Sequence, residues 1–168
     1  MPSYDVSNFP IAIPAIGTLL QVGNGASPEL FSSVANIGDI TGPTTQVAVV
    51  DVTSHTSPAA PYRQKVPTLI DPGTLTIPVY IVPASGAPSP YGPGQYMGHD
   101  YASGLGALLV NRGLSPGVPY NWKIVYPDGL NTTDSFGAFP TKYTRDMKVA
   151  GVISGSLELT LTGKPNFA

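Results

Sequence analysis

The stretch SGSLELTLTGKP, Ser154 to Pro165, alternates almost without error between apolar and polar residues. In an extended chain successive side chains point to opposite faces, so Leu157, Leu159 and Leu161 share one side while Ser156, Glu158, Thr160 and Thr162 share the other. This is a strand with one face bound for a core. Its hydroxyl-rich face looks at bulk water, at a partner subunit or into an enclosed space.

The same β character extends outward along the chain. GTLLQVG (residues 17–23) reads as a first strand closed by the turn-forming NGASP, and LFSSVANIGDITG alternates in pieces with a bulge expected near Gly38. TTQVAVVDVT (44–53) is rich in β-branched residues. TLTIPVYIV (74–82) resumes the pattern, with Pro78 pointing to an edge or bulge position. Toward the C-terminus, PYNWKIVYPDGL and TTDSFGAFPTKYTRD flank the turn PDG, with Trp122, Ile124 and Tyr126 on one face; core packing is the ordinary use of that tryptophan.

One helix is expected. Tyr101, Leu105, Leu108 and Leu109 recur at i, i+4, i+7 and i+8 after a possible N-cap at Asp100, and Gly113 stops it after about three turns. Two long Pro/Gly-rich loops are expected at 54–73 and 83–98. The first gathers Tyr62, Arg63 and Lys65, much of the scarce positive charge, and reads either as an idle tip or as a working contact loop. Residues 1–15 form an irregular arm in which prolines 2, 10 and 14 oppose regular pairing while Phe9, Ile11 and Ile13 offer apolar side chains. The remainder, 16–168, is expected to be a single domain.

Composition supports a packed β protein with a surface meant to be partly covered. Glycine and proline, 19 of each, supply 38 of the 168 residues and punctuate short strands, while 42% of the chain is hydrophobic. Only 11% is charged, far below the quarter usual for soluble domains, which points to self-assembly. Eight Lys and Arg against ten Asp and Glu leave no basic footprint for gripping nucleic acid. The absence of cysteine removes disulfides, thiolate metal sites and cysteine nucleophiles. MPSYDVSNFPIAIPAIG lacks a basic n-region and its apolar run is broken by Pro10 and Pro14, so neither a signal peptide nor a membrane span is expected and synthesis is placed in the cytoplasm.

Catalytic chemistry finds no footing. His55 and His99 have no partners at motif spacing, and SGLGALLVNRG places Leu109 where a dinucleotide fingerprint needs its third glycine. The acids show neither a close pair nor a calcium-loop pattern, and the sequon at Asn131 lacks a secretion signal. No enzyme, cofactor or metal is expected.

The order of pieces carries a resemblance. The helix YASGLGALLVNRG, the aromatic strand YNWKIVYPDG, the Phe-Gly strand DSFGAFPTKYT, the junction RDMKVAGV and the final TLTGKP resemble the tail tube proteins of long, non-contractile tailed bacteriophages. The likeness covers residues 16–166 in order of elements and 119–165 in detail. It implies a mainly β fold, a β-sandwich or partly closed barrel with one flanking α-helix. It further implies six-membered rings stacked into a hollow virion tail tube, assembled in the host bacterial cytoplasm. The partners it implies are further copies of the chain, the tape measure, tail terminator and tail tip proteins, and genomic DNA passing without specific binding. Under it, Phe9, Ile11, Ile13, Tyr62, Arg63 and Lys65 become contacts between subunits or rings, and Ser156, Glu158, Thr160 and Thr162 line the bore. A tail terminator or head-surface decoration protein, and an adhesive cell-surface β-sandwich, remain as alternatives.

Overall fold

The structure, a computed structural model, describes residues 15–34, 36–55, 62–81, 98, 104–111, 117–130 and 132–167. Among these, eight strands and one helix follow in the order β1 (Leu19–Gly23), β2 (Phe31–Ser33), β3 (Gln46–Asp51), β4 (Lys65–Asp71), β5 (Thr74–Tyr80), α1 (Leu105–Asn111), β6 (Tyr120–Val125), β7 (Thr133–Asp146) and β8 (Ser154–Asn166). Six of the strands form an antiparallel sheet in the order β2-β1-β6-β7-β8-β5, and β3 pairs with β4 in a separate ribbon.

One face of the large sheet makes the core. Leu20 and Val22 of β1, Trp122 and Ile124 of β6, Phe136 and Ala138 of β7, Leu157, Leu159 and Leu161 of β8, and Leu75, Ile77 and Val79 of β5 are all buried there. The alternation read in β8 is thus matched in its neighbours, and register pins it, because a one-residue slip would turn every leucine outward. Trp122 is fully buried and its indole N–H donates to the Ala138 carbonyl at 3.3 Å, so it is a core residue.

The sheet curls because the chain after β2 crosses from one edge to the other. Val34 N–H still donates to Leu20 O of β1, but Asn36 O accepts from Tyr80 N–H, Gly38 N–H donates to Pro78 O, and Thr41 exchanges both backbone bonds with Thr76. The strand expected over 30–42 is therefore three residues of β2 followed by isolated bridges to β5. Gly38 serves a close approach: a Cβ there would stand 3.0 Å from the Pro78 ring. The curled sheet stops short of a closed barrel.

A further expectation is corrected. The segment 54–73 is not a loop throughout, because its second half is β4, paired with β3. Its prolines concealed this, yet Pro67 sits beside a register shift in a two-stranded ribbon, where a missing N–H is tolerated. Among the described residues the helix covers Leu105–Asn111, about two turns, and packs on β7. Leu105 is buried, Leu108 packs at the core margin and Leu109 is half-buried. Tyr101, Asp100, Gly113 and residues 83–97 lie outside the described residues, as does the arm up to Pro14 with Phe9, Ile11 and Ile13.

Candidate assembly interface

The face of the large sheet opposite the core is lined with hydroxyls. Ser156, Glu158 and Thr160 are half-buried and Thr162 is exposed, and the first three stand beside Pro78, Thr76 and Thr74 of β5. Toward β7 the register sets Ser156 against Thr144, Glu158 against Lys142 and Thr160 against Phe139. Hydroxyls join across the strands: Thr144 Oγ1 and Ser156 Oγ are 2.8 Å apart, Thr160 donates to Thr141 Oγ1 at 3.3 Å, and Thr141 donates to Glu158 O at 3.3 Å.

Lys142 on this face was not foreseen. Counted on from Phe136, Ala138 and Pro140, position 142 belongs in the core, but a register shift between Pro140 and Lys142 inserts Thr141 as an extra residue. The parity then changes, Tyr143 turns toward the core margin and Lys142 faces Glu158. Proline in a strand was the available signal. Lys123 joins the same face from β6, its Nζ 3.7 Å from the centroid of the Phe31 ring. The face therefore mixes both signs of charge among its hydroxyls.

The β3–β4 hairpin is a second surface. All residues of both strands are exposed, including Val47, Val49, Val50, Val66, Leu69 and Ile70, so neither side of this ribbon is covered by the other described residues. Its ends are fastened locally. Asp51 accepts from the Thr53 hydroxyl and N–H at 2.5 and 2.9 Å, which together hold its carboxyl below the usual value, the hydroxyl bond most. Arg63 lies 3.6 Å from Asp51, and Lys65 is Asp51's register partner. Tyr62 is exposed beside them. The three residues singled out in sequence thus cluster at one end of the ribbon, while the apolar side chains lie exposed along it.

A third surface is the β7–β8 connection, residues 147–153. Met147, Val149, Val152 and Ile153 are exposed around a Lys148–Asp146 ion pair of 3.2 Å. In the sequence RDMKVAGV reads only as a junction; its unbroken exposure follows from β7 and β8 running past the end of the core.

A cleft of about 510 Å³ opens between the 15–18 and 37–43 segments and the β6–β7 end. Ile16, Ile37, Ile40 and Ile124 supply apolar walls, and Tyr126 donates to Asp134 Oδ2 at 2.6 Å. That bond, with burial and the carboxylate's charge, pushes the Tyr126 phenol up to about 12. Among the described residues no cluster of three or more His, Asp or Glu could hold a metal ion, and no helix is long and apolar enough to cross a membrane. His55 is exposed in a turn.

No family model matches the sequence, and no curated protein matches it. Solved structures do. A chain of the sheath–tube complex of an extracellular contractile injection system, in its extended state, aligns over 100% of both chains with a TM-score of 0.63 at 12% identity. A chain from the sheath/tube terminator of that kind of system aligns over 93% of this chain and 96% of the other, with a TM-score of 0.62 at 12% identity. A chain of the anti-feeding prophage baseplate, determined with six-fold symmetry, aligns over 94% and 98% with a TM-score of 0.57 at 14% identity. These are components of structural assemblies and not enzymes. The chain shares their fold: it is tail-tube-like, mainly β and flanked by a helix.

Proposed function

We propose that this chain is a structural subunit of a phage-type tail, assembling with copies of itself into rings that stack as a hollow tube. The observation that carries the reading is the β3–β4 hairpin, apolar and exposed on both sides. A two-stranded ribbon alone is marginal in water, and so large an apolar exposure on a single chain marks a contact surface. Joining sheets edge to edge around an axis also removes the edge-strand liability that a charge-poor β protein cannot block.

In this reading the Ser156, Glu158, Thr160, Thr162 face lines the bore. Lys142 stands opposite Glu158, so one wall cation has a carboxylate beside it; an uncompensated wall cation would attract each phosphate by about 1 kcal/mol at close range. Six copies per ring is supported by the six-fold baseplate and by the sequence resemblance. The narrower assignment, a non-contractile tail that ejects DNA, rests on the motif order over 119–165 alone, whereas the similar sheath–tube and terminator chains belong to contractile systems; genomic DNA, tape measure and tail tip would then be its partners, and the virion tail its place.

A tube terminator is the second reading, favoured by the match to a sheath/tube terminator chain. Negative-stain microscopy of the purified protein separates the two. Stacked rings or tubes are expected; closed single rings at every concentration would select the terminator, and dispersed monomers would overturn both.

A further inference from the structure

The turn NGASP, residues 24–28, holds a peptide nitrogen that the fold arranges against the side chain preceding it. Asn24 is followed by Gly25, whereas every other asparagine of the chain is followed by a residue with a side chain. Gly25 has φ +70°, and nothing lies within 4 Å of the place a Cβ would occupy, so its nitrogen is unscreened. Asn24 N–H donates to Leu30 O at 3.0 Å and closes the loop that joins β1 to β2.

We propose that Asn24–Gly25 is a site of self-catalysed deamidation, at which the Gly25 nitrogen displaces the Asn24 side-chain amide and the ring so formed opens to aspartate or isoaspartate. The inference is independent of the tail-tube reading, since it needs only one folded copy and water.

Groups already in place converge on the reacting atoms. Asn24 Oδ1, the oxygen that takes up negative charge when Cγ is attacked, accepts from Ala26 N–H at 3.0 Å and from Leu30 N–H at 3.1 Å. Two main-chain donors at about 2.7–3.1 Å are what an oxyanion hole supplies. Gly25 N–H donates to Glu29 Oε1 at 3.3 Å, so the carboxylate that receives its proton is bonded to it from the start. Glu29 is held in turn by Asn121, whose Nδ2 donates to Oε2 at 2.8 Å. The Asn24 bonds fall on Oδ1 and the main chain, and leave Nδ2, the departing group, without an acceptor among the described residues.

The reaction closes without an outside reagent other than water. As the bond from Gly25 N to Asn24 Cγ forms, the Gly25 proton passes to Glu29 and the Cγ–Oδ1 double-bond pair moves onto Oδ1. The tetrahedral centre then collapses: the Cγ–Nδ2 bond breaks, Glu29 returns the proton to Nδ2, and ammonia leaves a succinimide. Water reaches the exposed turn and adds to one of the two ring carbonyls. Opening at Cγ restores the main chain and leaves aspartate; opening at the Asn24 main-chain carbonyl leaves isoaspartate, with the chain running through Cγ. Either product takes the formal charge from -2 to one unit more negative. Isoaspartate also adds a methylene to the main chain beside the bond to Leu30, which loosens the β1–β2 turn.

The test incubates the purified full chain at neutral pH, folded and in denaturant. Conversion is followed by isoelectric focusing against Asn24→Asp, and placed by peptide mass spectrometry with isoaspartyl methyltransferase labelling. Conversion is expected at Asn24, roughly tenfold or more faster in the folded chain than in the unfolded one. Glu29→Gln should bring the folded rate down to the unfolded rate and leave the rate in denaturant unchanged. Since an altered loop shape alone would also slow the reaction, Glu29→Ala is tested with added formate, which is expected to restore part of the lost rate by standing in for the carboxylate. A folded chain that converts no faster than the unfolded one would overturn the site, and so would a folded rate indifferent to Glu29→Gln. Failure of formate to restore any rate to Glu29→Ala would overturn Glu29 as the base.

Discussion

β4 and β5 are each seven residues long, each contains one proline, and only Pro72 and Gly73 separate them. In β5 every second residue is buried; in β4 none is. The difference lies in spacing. TLTIPVY places Leu75, Ile77 and Val79 on one side, where the core covers them all. KVPTLID scatters Val66, Leu69 and Ile70 over both sides, so no single surface of its own chain could bury them. Strand formation depends on local character, but burial depends on a partner, and for β4 the proposed partner is another copy of the chain.

Substitutions sharpen this contrast. The largest effect is expected at the centre of the covered region, where Trp122→Ala removes a fully buried ring and its bond to Ala138 O and should cost about 3–5 kcal/mol in denaturant unfolding of the dispersed protein. Ile77→Ala in β5 should cost about 2–5 kcal/mol in the same assay, while Ile70→Ala in β4 should stay within about 0.5 kcal/mol. Equal losses at 77 and 70 would break the comparison, since they would mean that the hairpin is packed on its own domain.

The junction between the regions is tested by Gly73→Ala. Gly73 has φ +83°, and an added Cβ would collide with the Thr44 carbonyl oxygen, so a loss of about 1–3 kcal/mol is expected by thermal unfolding. The smallest effect concerns pH. The folded chain holds the Tyr126 proton more tightly than an unfolded chain with the ordinary value of 10.0, so this contribution is complete below pH 10 and is lost as pH rises through about 12. Melting temperature followed from about pH 9 to 12 should fall less steeply for Tyr126→Phe than for the unmodified chain.

Much of the fold was legible because strict alternation is a strong signal. Leu157, Leu159 and Leu161, the β5 triplet and Trp122 all entered the core as their spacing requires. Prolines hid a strand in one place and marked an irregularity in another. Pro67 concealed β4, and Pro140 marked the bulge that carries Lys142 to the hydroxyl face. The cluster of Tyr62, Arg63 and Lys65 was found from its charge, whereas the apolar connection at 147–153 was missed. Nothing in MKVAGVI distinguishes a covered strand end from an uncovered one until the length of β7 and β8 relative to the core is known.

Hydrogen–deuterium exchange of the dispersed and assembled protein tests most directly whether the hairpin is covered by another copy. Assembly is expected to protect the backbone amides of residues 46–51 and 65–71 strongly, while the amides of β5 that already pair with β8 change little. Assembled material in which the hairpin exchanges as fast as in the single chain would contradict that claim.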